Sequence, residues 1–163
     1  VERMLEHADS AIASVASLAG MGWRARVELL RELVETPDFG AAKQWCRAHP
    51  SELTRAYGMS KEAVNLYTAM RAATLASRGI RLNCLNPGAT DTPMITAHDA
   101  ANGRSFLDDF AVPLGRYAQP HEQAWPLLFL NSPRASFVTG AHLDADGGLG
   151  SALVTGPAGP PSD

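Results

Sequence analysis

The feature that most constrains the fold is a long helix that leads directly into a strand. Residues 56–77 are rich in alanine and predict one continuous helix, which Arg78-Gly79 ends because glycine is common just past a helix C-terminus. The stretch IRLNCL follows over 80–85 and predicts a strand, which Asn86-Pro87-Gly88 terminates. A helix followed at once by a strand is typical of the alternating units that build a parallel sheet.

The rest of the chain continues this alternation. Further helices are predicted at 24–35, 40–49, around 104–110 and at 121–132, and further strands at 10–17 and 141–145. Strands that alternate with helices favour an α/β layer, because parallel strands need a crossover helix between them. The sequence therefore predicts an α/β fold with a parallel sheet.

The first residues predict that strands are missing from the N-terminal side. The chain opens with Val1 and the stretch VERMLEHADS, which has the pattern of the last turns of an amphipathic helix that lacks a cap. Three predicted strands are also few for an open parallel sheet that is covered on both faces. We therefore expect further sequence upstream; an unusual start codon written as valine is the alternative explanation for the first residue.

Composition excludes several classes of partner. With 14 basic and 17 acidic residues, the formal net charge of −3 provides no basic surface for nucleic acid. No apolar run approaches the roughly 20 residues that cross a bilayer, so we expect no membrane partner. The two cysteines, Cys46 and Cys84, form no CxxC pair, and we expect reduced thiols in a cytoplasmic protein.

Tyr57 and Lys61 form a candidate acid–base pair. Residues four apart lie on one face of a helix, with Cβ atoms about 5–6 Å apart, so both side chains reach the same point. A phenol ionises near pH 10, and a nearby ammonium favours the phenolate. Such a pair suits carbonyl reduction or alcohol oxidation. The alternative is that both residues lie on an exposed helix face without a catalytic role.

Four motifs around this pair resemble the short-chain dehydrogenase/reductase family across residues 10–148. They are SLAG at 17–20, YGMSK at 57–61, NPGATDTP at 86–93 and SFVTGAHLDADGG at 136–148. The resemblance implies a Rossmann-like parallel sheet with helices on both faces, whose N-terminal strands are missing. Residues 1–150 would form the C-terminal part of this oxidoreductase domain, and residues 151–163 a flexible tail.

The same resemblance assigns a catalytic set. Tyr57 and Lys61 would supply the acid–base pair, and Ser17 would polarise the substrate oxygen. Ser14, three residues earlier, is the second choice for the serine.

The resemblance also implies a nicotinamide cofactor, NAD or NADP. The residues that would contact it are Tyr57, Lys61, Pro87, Gly88, Thr90 and Thr92. Lys61 would bind the ribose, Gly88 would let the backbone approach the nicotinamide, and the threonines would contact the carboxamide or pyrophosphate. Nothing in the chain resembles the family's glycine-rich pyrophosphate turn, TGxxxGxG, which agrees with missing N-terminal strands.

Residues 23–50 are a helical insertion relative to the family pattern. The insertion, followed by AYxxSK and PGATxTP, looks most like bacterial 3α-hydroxysteroid dehydrogenase/carbonyl reductases and coniferyl-alcohol dehydrogenases. Because it abuts the helix through which family members often dimerise, we expect a homo-oligomer with a different dimer mode. The apolar side chains expected to pack on the core are Val27, Leu30, Leu33 and Val34, and those with a possible substrate role are Trp23 and Trp45. The arginines expected on a solvated face are Arg24, Arg26 and Arg31.

Two hypotheses of different class follow. In the first, the chain is part of an NAD(P)-dependent oxidoreductase that interconverts a secondary alcohol and a ketone, with a steroid-like or aromatic substrate favoured by the subgroup. In the second, it is a noncatalytic fragment or interaction module without the dinucleotide-binding half. No metal site is expected, because His142, Asp144 and Asp146 are better explained by a strand that runs into the family's DGG turn.

Overall fold

Three parallel strands form the sheet within residues 10–156, the part of the chain that this computed structural model describes. They are β1 (Ser10–Val15), β2 (Ile80–Pro87) and β3 (His142–Ala145), in the order β1-β2-β3. Val15 is paired with Leu85 and Leu85 with Leu143, so the carboxyl ends of all three strands reach the same edge. The predicted parallel sheet is confirmed.

Helices connect and cover these strands. They are α1 (Val27–Val34), α2 (Phe39–Ala48), α3 (Ala56–Ala76), α4 (Pro93–Asn102), α5 (Phe106–Asp109), α6 (Pro120–Asn131) and α7 (Leu149–Thr155). Short 3₁₀-helical segments occupy Leu18–Arg26, Glu52–Arg55 and Pro133–Ala135.

Helices α3 and α6 lie on opposite faces of the sheet. On β2, Leu82 packs against Leu75 of α3, whereas the guanidinium of Arg81 donates a 2.8 Å hydrogen bond to the carbonyl of Leu130 in α6. Successive side chains of a strand point to opposite faces. Helices therefore cover both faces, as predicted.

The helical insertion packs on α3. Leu30 is fully buried in one cluster with Trp23, Met59 and Leu66. Three further α1 side chains pack against this cluster: Val27, Leu33 and Val34. Full burial of a leucine contributes about 1.5–3 kcal/mol, so α1 is held chiefly by this face. The predicted packing role of the α1 side chains is confirmed.

The sequence pattern did not predict α4 and α7. At the start of α7, the carboxylate of the preceding Asp146 accepts hydrogen bonds from the backbone N–H groups of Gly148 and Gly150. Leu149 packs against Leu18. These contacts make residues 149–155 helical, although a tail without regular structure was predicted from residue 151. The helical pattern at 1–9 and the rest of the predicted tail, 157–163, lie outside the described residues.

No helix of the described part combines the length and the apolar character that crossing a bilayer requires. Cys46 and Cys84 are both free thiols, and burial raises the pKa of the Cys84 thiol.

Candidate active site

The predicted catalytic residues lie near the carboxyl edge of the sheet. The ammonium nitrogen of Lys61 lies 3.4 Å from the carbonyl oxygen of Val15, the last residue of β1. Ala16 in turn donates a 2.8 Å hydrogen bond to the carbonyl of Leu85 in β2. Ligands of open parallel sheets bind outside the carboxyl ends of the strands, so this edge is the expected location of a site.

Tyr57 and Lys61 lie side by side on α3. Tyr57 is in the first turn, with 52% of its surface exposed, and Lys61 follows one turn later. The ammonium nitrogen of Lys61 is 5.6 Å from the centroid of the Tyr57 ring, which is within the range of a cation–π contact. The two side chains are therefore neighbours, with Tyr57 open to solvent and Lys61 half-buried.

Ser17, rather than Ser14, lies at this edge. Ser17 is half-buried, has extended backbone and caps the segment Leu18–Arg26, with its hydroxyl oxygen accepting a 3.2 Å hydrogen bond from the Ala19 N–H. Ser14 lies inside β1, paired with Cys84 of β2. This location supports Ser17 as the serine of the site.

Gly20 holds the turn after β1 against α3. A Cβ atom at this position would lie 2.7 Å from the carbonyl carbon of Lys61 and 2.9 Å from the backbone nitrogen of Glu62. The Asn65 amide also donates a 3.2 Å hydrogen bond to the Gly20 carbonyl. The motif SLAG contains this glycine, but no local pattern indicates that it contacts the helix backbone.

Pro87 and Gly88 end β2 at the same edge. The Gly88 N–H donates a 3.0 Å hydrogen bond to the Ala145 carbonyl, and a Cβ atom on Gly88 would lie 2.6 Å from the Cα of Asp146. Glycine is thus required here by the approach of two protein segments. Its predicted role toward the nicotinamide stays a prediction.

Thr90 and Thr92 lie in the loop that follows, and both are half-buried. The Thr90 hydroxyl donates to the Gly88 carbonyl and the Thr92 hydroxyl to the Thr90 carbonyl, each at 3.1 Å. These bonds shape the loop and leave oxygen lone pairs as acceptors. Cofactor contacts by both threonines stay predictions.

Glu62 is a residue of the site region that sequence reasoning missed. Its side chain is fully buried, and it accepts a 2.5 Å hydrogen bond from Arg26 and a 3.2 Å hydrogen bond from Arg55. Arg26 also pairs with Glu52. The expectation of a solvated face was wrong for Arg26, because its guanidinium is bound by these two carboxylates. Helical spacing could have indicated its burial, because Glu62 is three residues after Met59, which faces the core.

Trp23 and Trp45 both contact other protein groups. Trp23 is buried in the core and stacks on His142, with ring centroids 5.0 Å apart. Trp45 stacks on His49, and its indole N–H donates a 3.0 Å hydrogen bond to Glu32. Both therefore have structural roles, and a substrate contact stays a prediction.

His142 and Asp144 both form hydrogen bonds with protein groups. The His142 Nε2 forms a 2.9 Å hydrogen bond with the Asn65 carbonyl, and the Asp144 carboxylate accepts one from Asn86. Among residues 10–156, no group of His, Cys, Asp or Glu has an arrangement that would hold a metal ion.

The described residues fit one end of a nicotinamide dinucleotide better than the other. Lys61 and the Gly88 loop border the open edge of the sheet, where a ribose and a nicotinamide ring can be reached. The turn after β1 contains Gly20 and Gly22, but the Gly20 N–H already donates to the Ser17 carbonyl. Between residues 10 and 156 we find no glycine-rich turn of the kind that binds a pyrophosphate.

A family model described as enoyl-(acyl carrier protein) reductase matches residues 47–150, which is more than half of the chain. The chain belongs to the short-chain dehydrogenase/reductase family. The family predicted from SLAG, YGMSK and NPGATDTP is therefore confirmed. The match includes the whole of α3 and the loop after β2, which carry most of the candidate site.

Similar short-chain dehydrogenases/reductases support the predicted subgroup. The 3-alpha-hydroxysteroid dehydrogenase/carbonyl reductase of Comamonas testosteroni is 44% identical over 96 residues, which cover 58% of this chain and 37% of the relative. The coniferyl-alcohol dehydrogenase of a Pseudomonas species is 28% identical over 144 residues, covering 88% of this chain and 56% of the relative.

A solved structure also supports the predicted subgroup. The 3-alpha-hydroxysteroid dehydrogenase from Pseudomonas sp. B-0831, complexed with NADH, superimposes with a TM-score of 0.74 and 31% identity, over 91% of this chain and 58% of that one. The chain thus spans between about a third and three-fifths of the length of these relatives.

Proposed function

We propose that this short-chain dehydrogenase/reductase chain carries the catalytic part of an NAD(P)-dependent oxidoreductase that interconverts a secondary alcohol and a ketone. The observation that carries the proposal is the Lys61 ammonium 5.6 Å from the centroid of the Tyr57 ring, at the open carboxyl edge of the sheet. The names of the similar proteins favour a steroid-like or aromatic substrate.

The three side chains have distinct roles in this proposal. When bound, the nicotinamide supplies a hydride to the carbonyl carbon of the ketone or accepts one from the alcohol. The Tyr57 hydroxyl gives its proton to the substrate oxygen during reduction and takes it back during oxidation. Ser17 donates a hydrogen bond to the same oxygen, and the positive charge of Lys61 stabilises the negative charge left on Tyr57.

Cofactor contacts are proposed at two places on the edge. Lys61 would bind the ribose next to the nicotinamide, since its ammonium lies at the mouth of the site. Gly88, together with Pro87 and the oxygens of Thr90 and Thr92, would border the nicotinamide ring and its carboxamide. The adenosine end would require a pyrophosphate turn from outside residues 10–156.

An alternative function as a noncatalytic interaction module rests on a different observation. Within the described part, β1 pairs with β2 along one edge only, and its other edge faces away from the sheet. An uncovered strand edge is a template for another strand. Activity measurements distinguish the two functions, because a module of this kind would not need Tyr57.

The test compares the chain with a fusion. In the fusion, the N-terminal part of the Pseudomonas sp. B-0831 enzyme, which superimposes on 91% of this chain, precedes residues 10–163. We expect the fusion to bind NADH or NADPH in a fluorescence titration and to reduce steroid or aryl ketones. We expect the 163-residue chain alone to bind neither cofactor, because its described residues provide no pyrophosphate turn.

The decisive variant in the fusion is Tyr57→Phe, which keeps the ring and removes the proton. A loss of about 10²–10⁴-fold in kcat is expected, as for removal of a general acid–base group. The matched control is Tyr67→Phe, which changes another exposed tyrosine of α3 and should keep the wild-type rate. A wild-type rate in the Tyr57→Phe fusion would refute the assignment of Tyr57.

A further inference from the structure

Glu62 is a fully buried carboxylate that directly follows Lys61 in α3. A buried charge is costly unless it is paired and its oxygens accept hydrogen bonds. Here both oxygens do so: Oε2 accepts from Arg26 at 2.5 Å and Oε1 from Arg55 at 3.2 Å. The two arginines therefore offset the cost of burying this carboxylate in α3.

The two arginines belong to different segments. Arg26 is the last residue of the 3₁₀-helical segment that Ser17 caps, whereas Arg55 lies two residues before Tyr57. Glu52 also pairs with Arg26, so the cluster contains two positive and two negative side chains. One carboxylate thus links the turn that carries Ser17 to the turn that precedes Tyr57.

These two segments are in close contact, so a shift of one would displace the other. A Cβ atom on Gly22 would lie 3.0 Å from Oε1 of Glu62, and one on Gly58 would lie 3.3 Å from the Ala19 carbonyl oxygen. There is little free space into which either segment can shift. A change in the carboxylate must therefore alter the spacing between them.

We propose that Glu62 is a positioning residue, which fixes the turn of Ser17 and the first turn of α3 relative to Lys61. The inference rests on the function proposed above for Ser17, Tyr57 and Lys61. Glu62 acts through the two arginines and does not contact substrate. Its loss should therefore lower kcat more than it changes KM, because misplacement of reacting groups by about 1 Å can cost about 10²-fold in rate.

The geometry can be measured in the 163-residue chain, because it contains only two lysines, Lys43 and Lys61. After reductive ¹³C-methylation, each lysine gives one NMR signal besides that of the N-terminal amine, and Lys43→Arg assigns them. The methyl groups of Lys61 should carry a ring-current shift from Tyr57, and Tyr57→Leu should remove it. Lys43 is an internal reference, since its ammonium lies 5.8 Å from the centroid of the Phe39 ring.

In the Glu62→Gln chain, we expect the Lys61 signal to lose most of its ring-current shift while the Lys43 signal keeps its own. The matched control is Glu35→Gln, which removes a carboxylate from an exposed pair with Arg31 and should change neither signal. An unchanged Lys61 signal in Glu62→Gln that is folded by circular dichroism would overturn the proposal.

A second variant decides the question where Glu62→Gln does not fold. Arg55 is 56% exposed, and Arg55→Gln removes only the link to the turn before Tyr57 while Arg26 still pairs with Glu62. A reduced ring-current shift at Lys61 in this variant supports the proposal. An unchanged shift overturns it.

Kinetics in the fusion provide the functional readout. We expect Glu62→Gln to lower kcat by about 10²-fold with little change in KM for ketone or cofactor. A change confined to KM would overturn the positioning role. An inactive wild-type fusion would instead refute the proposed function, and the lysine signals would still decide the role of Glu62 in the geometry.

Discussion

Gly20 contacts the backbone of Lys61 so closely that a side chain at this position would lie 2.7 Å from the Lys61 carbonyl carbon. Real Cβ contacts are not that short, so the strand-to-helix turn would have to move away from α3. The finding explains why a glycine follows Ser17 by three residues: it lets the serine turn lie directly on the helix that bears the acid–base pair.

The first prediction concerns this contact. We expect Gly20→Ala to destabilise the chain by about 1–3 kcal/mol, the usual cost of overpacking, measured by urea unfolding. The milder control is Gly58→Ala, in which the new Cβ would lie 3.3 Å from the Ala19 carbonyl oxygen. This substitution also places a better helix former in α3. A Gly20→Ala chain as stable as Gly58→Ala would contradict the proposed tight contact.

The second prediction concerns the stability contributed by Glu62. Glu62→Ala leaves the guanidinium of Arg26, which is only 17% exposed, without its buried partner. Removing one member of a buried ion pair costs about 3–5 kcal/mol, and because Arg26 keeps its pairing with Glu52 we expect a loss near the lower end of this range in the free energy of unfolding. Glu35→Ala, which removes an exposed pair, should cost no more than about 1 kcal/mol. Equal losses in both variants would show that Glu62 is not under the constraint inferred here.

The strongest periodic patterns predicted the fold well. The helix expected at 56–77 is α3 (Ala56–Ala76), and the strand expected at 80–85 is β2 (Ile80–Pro87). The helix is long and the strand alternates apolar with polar residues over 80–84, and both contact other elements, so local pattern and tertiary packing agree. The helix α4 has mostly exposed side chains and offers no apolar stripe. Its remaining signals were Pro93 at the first turn and Gly103, with a φ of +67°, at the end.

The site was predictable only as far as its motifs extended. Tyr57 and Lys61 share one helix, so helical spacing already predicts that they lie on the same face. The pairing of Glu62 with Arg26 joins residues 36 positions apart, and no local pattern encodes such a contact. The same holds for Gly88. A side chain at this position would clash with Asp146, which lies in a turn distant in sequence.

The third prediction is a pH dependence at the start of α6. The hydrogen bond from Arg116 and then that from the Gln119 N–H lower the pKa of Glu122 from 4.5 to about 2. A carboxyl whose pKa is lower in the folded state stabilises the fold above its unfolded pKa, and this stabilisation is lost as the pH falls through the folded value. The contribution should therefore be complete above about pH 5 and disappear between about pH 4.5 and about pH 2.

Thermal unfolding of the wild-type chain and Glu122→Gln tests this expectation. The difference in Tm should be largest near neutral pH and should shrink as the pH is lowered toward about 3. Arg116→Gln should give the same trend, because it removes the other member of the pair. A Tm difference that stays constant over this pH range would contradict the assignment of the low pKa to this ion pair.

The fourth prediction separates the two serines of the first strand and turn. Ser17 caps the segment after β1 at the edge where Lys61 contacts the Val15 carbonyl, whereas Ser14 is paired with Cys84 inside the sheet. In the fusion, Ser17→Ala should lower kcat by about 10²–10³-fold, the cost of losing one donor to a reacting oxygen. Ser14→Ala should keep kcat near the wild-type value, because its hydroxyl lies within the strand. Unfolding curves of both variants, measured in parallel, separate a catalytic loss from a loss of stability. Losing the cap, in which the Ser17 hydroxyl accepts from the Ala19 N–H, should cost only about 1 kcal/mol. A larger loss of kcat in Ser14→Ala than in Ser17→Ala would reverse the assignment and move the substrate oxygen toward the interior of β1.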